Sequence, residues 1–313
     1  MRLSAVALIA VCLLSSDHRV EAQAEVHRLL AGANPWSTLS RLKYLGEQRF
    51  AAVELAKAWD VLDDAELRRN VAVVVAGLEV ARTEPLLVEF TQSSDSAIRM
   101  SGAQGLGRIR SRQLPVLVPL LQDSSLGVRR EAARALGASR DNRRVGKLLL
   151  EAAKIEGEPE VRAAMLEAVG RCGDTRLASA LAAFLTSSSD ATRFAAARGL
   201  CLLGARQGFE FAGGLLASED RFVRRQGVAL FEQLPAKVAK PHLEPKLEDP
   251  DRRVAASAAR ILYQGGDASK LEWLVLASHL SKPDDKLIFE EALETLMLTD
   301  ERRKAILRKA GIR

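Results

Sequence analysis

Six arginines recur along the chain at a nearly constant spacing, and the guanidinium group is well suited to pairing with carboxylates. The six are Arg68, Arg99, Arg129, Arg162, Arg193 and Arg224. Consecutive members are separated by roughly 31 residues, a period typical of stacked structural repeats, and the same step leads from Arg224 to Ala255. We therefore predict that these arginines hold neighbouring units in register instead of contacting a ligand.

A second set of residues lies one or five positions after the repeated arginine position and is the candidate for partner binding. On a helix these positions point away from the apolar face. Glu167, Glu290 and Glu294 interrupt the set, which argues against a continuous track for phosphates. A solvated helix face and a groove for an acidic or extended segment both remain open. The candidates are Arg69, Met100, Arg130, Arg134, Phe194, Arg198, Arg225 and Arg260.

Other residues that could do chemistry are scattered. His18, His27, His242 and His279 form no HExxH motif and no cluster with the spacing of metal ligands. The glycines of residues 102–107 do not match GxGxxG, and GxSxG is missing from the sequence. We predict no catalytic residue, no metal ligand and no cofactor, and the net charge of +6 is too small to indicate nucleic-acid binding.

The elements that carry the repeated arginines read as amphipathic helices. Val128, Ala132, Ala135 and Leu136 share one face at 100° per residue. Each unit also contains a second apolar segment, so we predict an all-α chain of helical hairpins. Residues suited to capping precede the arginine-bearing helices: Asp64, Asp95, Ser125, Glu158, Ser189, Asp220, Asp251 and Asp285. Glycines are expected to end these helices: Gly107, Gly137, Gly170, Gly204 and Gly265.

The segment Val128–Gly137, with its pattern V-R-x-x-A-A-x-A-L-G, resembles the HEAT repeat. The short period resembles the HEAT-like repeats of phycobilisome lyases, and the resemblance covers most of residues 60–300. It implies an armadillo-type fold, a right-handed α-α superhelix whose second helices line a concave side. It also implies a ladder between the repeated arginines and aspartates in the turns. Asp123 and Asp249 match that turn position, whereas Ser93, Glu156, Ser187 and Ser218 replace aspartate elsewhere, so we expect a partial ladder.

Residues 1–24 have the layout of a secretory signal peptide. Met1 and Arg2 precede a small and apolar run at residues 3–14, and Ala22-Gln23-Ala24 fits a cleavage site. Lipidation of Cys12 and an uncleaved apolar helix are alternatives. We expect residues 25–313 to form a single solenoid with degenerate capping units at about 25–60 and 284–313, and no transmembrane span after cleavage.

The sequence favours a non-catalytic scaffold that binds a protein partner on the concave face. Such a scaffold would be monomeric and periplasmic or secreted, or cytoplasmic if the first segment is not a signal. The alternative is a HEAT-like enzyme or enzyme subunit, because the resemblance also extends to glycosylases that act on alkylated DNA bases and to bilin lyases. Two further cysteines, Cys172 and Cys201, are expected to be buried free thiols.

Overall fold

The computed structural model describes residues 5–139, 141–232 and 234–312, with side chains described from residue 17 onward. Across these residues the regular secondary structure is helical throughout, which confirms the predicted all-α solenoid class. The chain divides into two compact units, Met1–Asp174 and Thr175–Arg313. That residues 25–313 form a single solenoid stays a prediction.

Each repeat places a first helix, the A helix, before the arginine-bearing helix, the B helix. The first unit contains α1 (Ala5–Leu30), α2 (Pro35–Leu45), α3 (Gln48–Trp59), α4 (Ala65–Gly77), α5 (Glu84–Phe90), α6 (Ser96–Arg108), α7 (Leu114–Leu117), α8 (Leu126–Ala138), α9 (Gly146–Ile155) and α10 (Pro159–Arg171). The second contains α11 (Ala178–Ala182), α12 (Asp190–Leu202), α13 (Arg206–Leu216), α14 (Arg221–Ala229), α15 (Ala236–Leu243), α16 (Arg252–Gln264), α17 (Ser269–Leu280), α18 (Pro283–Glu294) and α19 (Asp300–Lys309). The B helices are α4, α6, α8 and α10 in the first unit and α12, α14, α16 and α18 in the second.

Most B helices begin where the capping pattern predicts. The side chains of Asp64, Asp95 and Asp251, for example, accept hydrogen bonds from amides in the first turn of their helices. Ser125 and Glu158 stand at the N-cap positions of α8 and α10, but their side chains accept no such hydrogen bond. Asp285 lies within the first turn of α18, which begins at Pro283. Capping side chains satisfy amides that would otherwise lack a partner, so these residues fix the starts of the helices.

The prediction that glycines end the B helices is wrong for Gly107, Gly137 and Gly170, which lie inside α6, α8 and α10. Two of them are sites of close helix approach instead. A Cβ atom on Gly107 would lie 2.9 Å from the Cα atom of Ala135, and one on Gly137 would lie 2.8 Å from the Cβ atom of Ala168. These glycines therefore let consecutive B helices pack against one another.

The core of each unit is made mainly of alanine, leucine and valine. Leu106, Val128 and Leu136 are fully buried in the first unit, and Val254 and Leu262 are fully buried in the second. Small residues on the facing sides of the B helices allow short distances between helices, which explains how a chain with 4% aromatic residues fills its interior.

Helix α1 runs through the predicted cleavage site and packs against α2, α3 and α4. Ala22, Val26 and Leu29 are buried, and Glu21 pairs with Arg41 at 2.5 Å. Residues 1–4 and the side chain of Cys12 lie outside the described part, so its lipidation stays a prediction. Within the described residues, no helix combines the length and apolar character that crossing a bilayer requires.

Cys172 and Cys201 are free and buried, as the sequence predicts. Burial raises the pKa of both thiols to about 12, because it disfavours the charged thiolate. Neither side chain therefore has the character of a reactive cysteine.

Candidate functional site

The repeated arginine makes the same contact in its own repeat wherever it occurs. Its Nη1 or Nη2 atom donates to the backbone carbonyl oxygen of the residue six positions earlier, in the turn between the A and B helices. The acceptors of Arg68, Arg99, Arg129, Arg162, Arg193 and Arg224 are Leu62, Ser93, Asp123, Glu156, Ser187 and Ser218. Each arginine thus closes its own A–B turn.

Three of these arginines also reach a carboxylate in the A–B turn of the next repeat, through two hydrogen bonds each. The pairs are Arg99–Asp123 at 2.7 and 2.9 Å, Arg129–Glu156 at 2.8 and 3.1 Å, and Arg224–Asp249 at 2.9 and 2.9 Å. We call these pairs the arginine ladder. The ladder is partial, as expected. The sequence prediction counted only aspartates as members and so left out Glu156, whose longer side chain also accepts two hydrogen bonds.

Two carboxylates of the ladder, Asp123 and Glu156, are held in their charged form. The hydrogen bond from Arg99 lowers the pKa of Asp123, against the opposing effect of burial. Burial acts most strongly on Glu156 and would raise its pKa, but the hydrogen bonds from Arg129 and from the backbone outweigh it, so the pKa is lowered. Arg68 instead stacks on Trp59, with its Cζ atom 4.1 Å from the ring centroid.

In the first unit the candidate partner-binding residues lie on α4, α6 and α8, where Arg69 and Arg134 are exposed and Met100 and Arg130 are half-buried. Arg69 donates to Asp95 at 2.6 Å. Arg134 donates to Glu131 at 2.7 Å. The side chain of Met100 is half-buried, and its Sδ atom would lie 3.1 Å from a Cβ atom on Gly127. The predicted set is therefore a row of ion pairs with one apolar residue.

Arg130 differs from its neighbours because its contacts are longer. Its Nε atom lies 3.5 Å from Glu131, and its Nη1 atom lies 3.7 Å from Glu160. Both distances exceed that of a hydrogen bond, and the buried Nε atom finds no acceptor among the described residues.

In the second unit the same positions lie on α12, α14 and α16. Arg225 forms two hydrogen bonds to Asp251, at 3.2 and 2.5 Å. Arg260 donates to Glu232 at 3.1 Å, whereas Arg198 approaches the same carboxylate only to 3.8 Å. The buried Nε atom of Arg198 also lacks an acceptor within the described part of the chain. Phe194 meets Phe211 edge to face, with ring centroids 6.1 Å apart.

These positions support recognition of carboxylates, since each guanidinium has more donors than its internal partner uses. The described residues bring no three His, Cys, Asp or Glu side chains into an arrangement that could hold a metal ion. Two clefts of the second unit include candidate side chains, Arg260 in one and Arg225 in the other. One of about 640 Å³ in the second unit is lined by Glu232, Arg260 and Gln264, among others.

Comparison with known proteins supports the repeat architecture. The family model for HEAT repeats matches residues 54–137, 103–154 and 146–232. The complex of CpcE and CpcF of phycocyanin lyase from Nostoc sp. PCC7120 aligns with a TM-score of 0.53 at 19% identity, covering 78% of this chain and 94% of that one. At this identity the similarity shows the fold alone. No curated protein matches the sequence.

Two further solved structures align over most of their length. YIBA from Escherichia coli aligns with a TM-score of 0.44 at 18% identity, covering 86% of this chain and 98% of that one. Human deoxyhypusine hydroxylase in complex with glycerol aligns with a TM-score of 0.33 at 22% identity, covering 80% and 98%. Similarity at these TM-scores carries no functional meaning.

Proposed function

This chain belongs to the HEAT-repeat family, and on that premise we propose that it is a non-catalytic scaffold that binds a protein partner through the exposed face of its B helices. Stacked repeats present long surfaces whose exposed positions vary from unit to unit, which suits binding of extended partners. The candidate residues vary in this way among arginine, methionine and phenylalanine.

The observation that carries the proposal is the incomplete pairing of Arg130 and Arg198. Each guanidinium lies 3.5–3.8 Å from its acidic neighbours and makes no hydrogen bond to any described residue. Leaving a partly buried N–H group without an acceptor is unfavourable. The side chains of Arg130 and Arg198 are 31% and 21% exposed, so a carboxylate from a partner would bind the part of each guanidinium that faces solvent. The proposed partner is therefore an acidic or extended protein segment.

The test is partner recovery with charge reversal. The protein, used as bait in periplasmic or secreted fractions, is expected to capture one specific protein. Changing Arg130→Glu and Arg134→Glu together should abolish or greatly weaken that capture. The matched control is Arg302→Glu with Arg308→Glu on α19, two exposed arginines of the second unit, which should leave capture intact. Equal capture by both variants would remove the B-helix face from the proposal.

We also propose that the protein is exported. The small and apolar run at residues 3–14 and the Ala22-Gln23-Ala24 site support this location. Cleavage after Ala24 would remove Ala22 and Glu21 from their contacts with the first unit. Mass spectrometry of the N-terminus of the protein purified from its native cells tests the proposal. Cleavage at Ala24 or lipidation at Cys12 would support export, and an intact N-terminus would contradict it.

The alternative of a HEAT-like enzyme rests on the resemblance and on similarity of fold. A glycosylase of this kind should bind alkylated duplex DNA at low salt and release the modified base. The scaffold proposal predicts neither result, and base release by the purified chain would overturn it.

A further inference from the structure

The turns that lead from each B helix to the next A helix stack along one edge of the first unit. The hydroxyl of Ser139 donates to the carbonyl oxygen of Ser111 at 2.6 Å, and the hydroxyl of Ser111 donates to Glu84. The amide of Asn142 donates to the carbonyl oxygen of Arg171 at 3.0 Å. These hydrogen bonds connect four successive B–A turns into a continuous surface.

This edge is rich in exposed cations. We name as the basic edge the side chains of Arg82, Arg110, Arg112, Arg143, Arg144 and Lys147, all of which are exposed. The turns that hold these cations contain three carboxylates, Glu79, Glu84 and Asp141. Positive charge therefore exceeds negative charge two to one along the basic edge.

Most of these cations have no role within the fold. Arg112 lies 4.0 Å from Asp141, and the other five make no hydrogen bond or ion pair to the described residues. Arg143, Arg144 and Lys147 also flank the start of α9, where the helix dipole disfavours positive charge. The stability of the fold therefore does not explain why Arg143, Arg144 and Lys147 are basic residues.

Arg110 is held in a conformation that favours glycine. Its φ angle is +52°, and the equivalent position after α10, α12 and α16 is Gly173, Gly204 and Gly266. A residue with a Cβ atom is strained in this left-handed region. The chain thus keeps a charged side chain on the edge at a position where glycine would be more stable.

We propose that the basic edge binds an acidic, extended segment of a partner protein. Neighbouring turns lie about 8–10 Å apart, since that is the spacing of packed helices. A segment in the polyproline II conformation rises about 3.1 Å per residue and has three residues per turn, so every third side chain would face the edge and meet the next turn. The edge also carries three carboxylates, Glu79, Glu84 and Asp141. They would repel acidic side chains, so the acidic residues of the segment would be limited to the positions that face cations.

The surface fits a protein segment better than a membrane or a nucleic acid. Single strands stack their bases on aromatic rings, and no aromatic ring lies on the described part of this edge. Membrane surfaces take up several apolar side chains, whereas the exposed large apolar side chain here is Leu148. The inference rests on the proposed protein-binding function and adds a second contact surface to it.

The first test measures binding of a defined probe. A fluorescent 12-residue peptide with glutamate at every third position and serine at the others is titrated with the full chain, and anisotropy is read at low and high salt. Changing Arg110, Arg143 and Arg144 to glutamate should weaken binding about tenfold, since three exposed ion pairs of modest strength are lost together. The control reverses Arg302, Lys304 and Arg308 on α19 and should preserve affinity.

Several outcomes would overturn the proposal. Equal loss in both triple variants would show a general effect of net charge. Unchanged binding in the edge variant, or binding of phosphatidylglycerol vesicles or single-stranded DNA in place of the peptide, would also do so. Another outcome is that capture of the native partner is lost with Arg130→Glu and Arg134→Glu but kept in the edge variant. That result would contradict binding at the basic edge and would still support the proposed scaffold function.

A second variant separates binding from folding. Arg110→Gly should raise the melting temperature, because glycine accepts the positive φ angle, and should weaken peptide binding about threefold. Met297→Gly is the matched control, because Met297 is also at positive φ (+49°), is exposed and is uncharged. It should raise stability and leave affinity unchanged. Full affinity in Arg110→Gly would contradict the proposal.

Discussion

The A–B turns and the B–A turns form two edges of the first unit that carry opposite charges. The charged residues of the two edges differ in whether they have partners within the fold. At the A–B turns, Asp64 and Asp95 cap helices while Asp123 and Glu156 form the arginine ladder. At the B–A turns the cations of the basic edge have almost no internal partners. The difference shows that a charged residue of the framework has a partner within the fold, whatever its place in the repeat. An exposed and unpaired charge is available to a partner.

The largest expected effect comes from removing a buried member of the ladder. The side chain of Glu156 is 7% exposed and accepts two hydrogen bonds from Arg129. Glu156→Ala leaves that half-buried guanidinium without a carboxylate partner, so we expect the free energy of unfolding of the first unit to fall by about 2–3 kcal/mol. Urea denaturation followed by circular dichroism measures it.

The matched control for this change is Asp141→Ala on the opposite edge. Its carboxylate lies 4.0 Å from an exposed arginine, and a change of less than about 0.5 kcal/mol is expected. Equal losses in the two variants would remove the distinction between the edges.

The pH dependence of stability provides a second, smaller effect. The hydrogen bond from Arg99 lowers the pKa of Asp123 in the folded protein, so the ionised form is favoured by folding. This contribution is present above the pKa of the unfolded chain, about 3.9, and is lost as the pH falls through the lower folded value. Asp123→Asn should therefore reduce stability by about 1–2 kcal/mol at pH 7, and the difference from the parent should shrink progressively as the pH falls below about 3.9. Thermal melts across this range measure it, and a constant difference would contradict the assignment.

The sequence predicts the framework better than the surfaces. The spacing of the repeated arginines and the small residues after them was sufficient to predict helical hairpins, because periodicity reports directly on buried faces. The bond from each arginine to the carbonyl oxygen six residues earlier could not be read from residue types, since every residue offers that acceptor. The prediction that glycines end the B helices was wrong for a related reason. Glycine is favoured both at the end of a helix and where two helices approach closely, so the residue type does not distinguish the two.

Of the eight candidate partner-binding residues, Arg69 and Arg134 are exposed and the other six are half-buried. Their role in binding stays a prediction, and their internal partners were not foreseen. Asp95 and Asp251, read only as helix caps, also bind Arg69 and Arg225 from the preceding repeat. Such pairs depend on how one repeat packs on the next.

The basic edge was missed although Arg82, Arg112 and Arg143 recur at steps of 30 and 31 residues, because the apolar and capping patterns that define the repeat lie in the helices and not in the B–A turns. These arginines come together only when the turns stack.

The smallest effect tests whether an exposed pair between repeats contributes to the framework at all. The side chain of Arg69 is 51% exposed, and it donates one hydrogen bond to Asp95. Arg69→Ala should lower the free energy of unfolding by about 0.5 kcal/mol at low salt, and 1 M salt should remove most of the difference by screening. Arg82→Ala on the basic edge should have no measurable effect at either salt concentration, because Arg82 has no partner among the described residues. A loss at Arg69 as large as that expected for Glu156→Ala, unaffected by salt, would place this pair with the arginine ladder. The boundary between framework and binding surface would then run through the B-helix face instead of between the two edges.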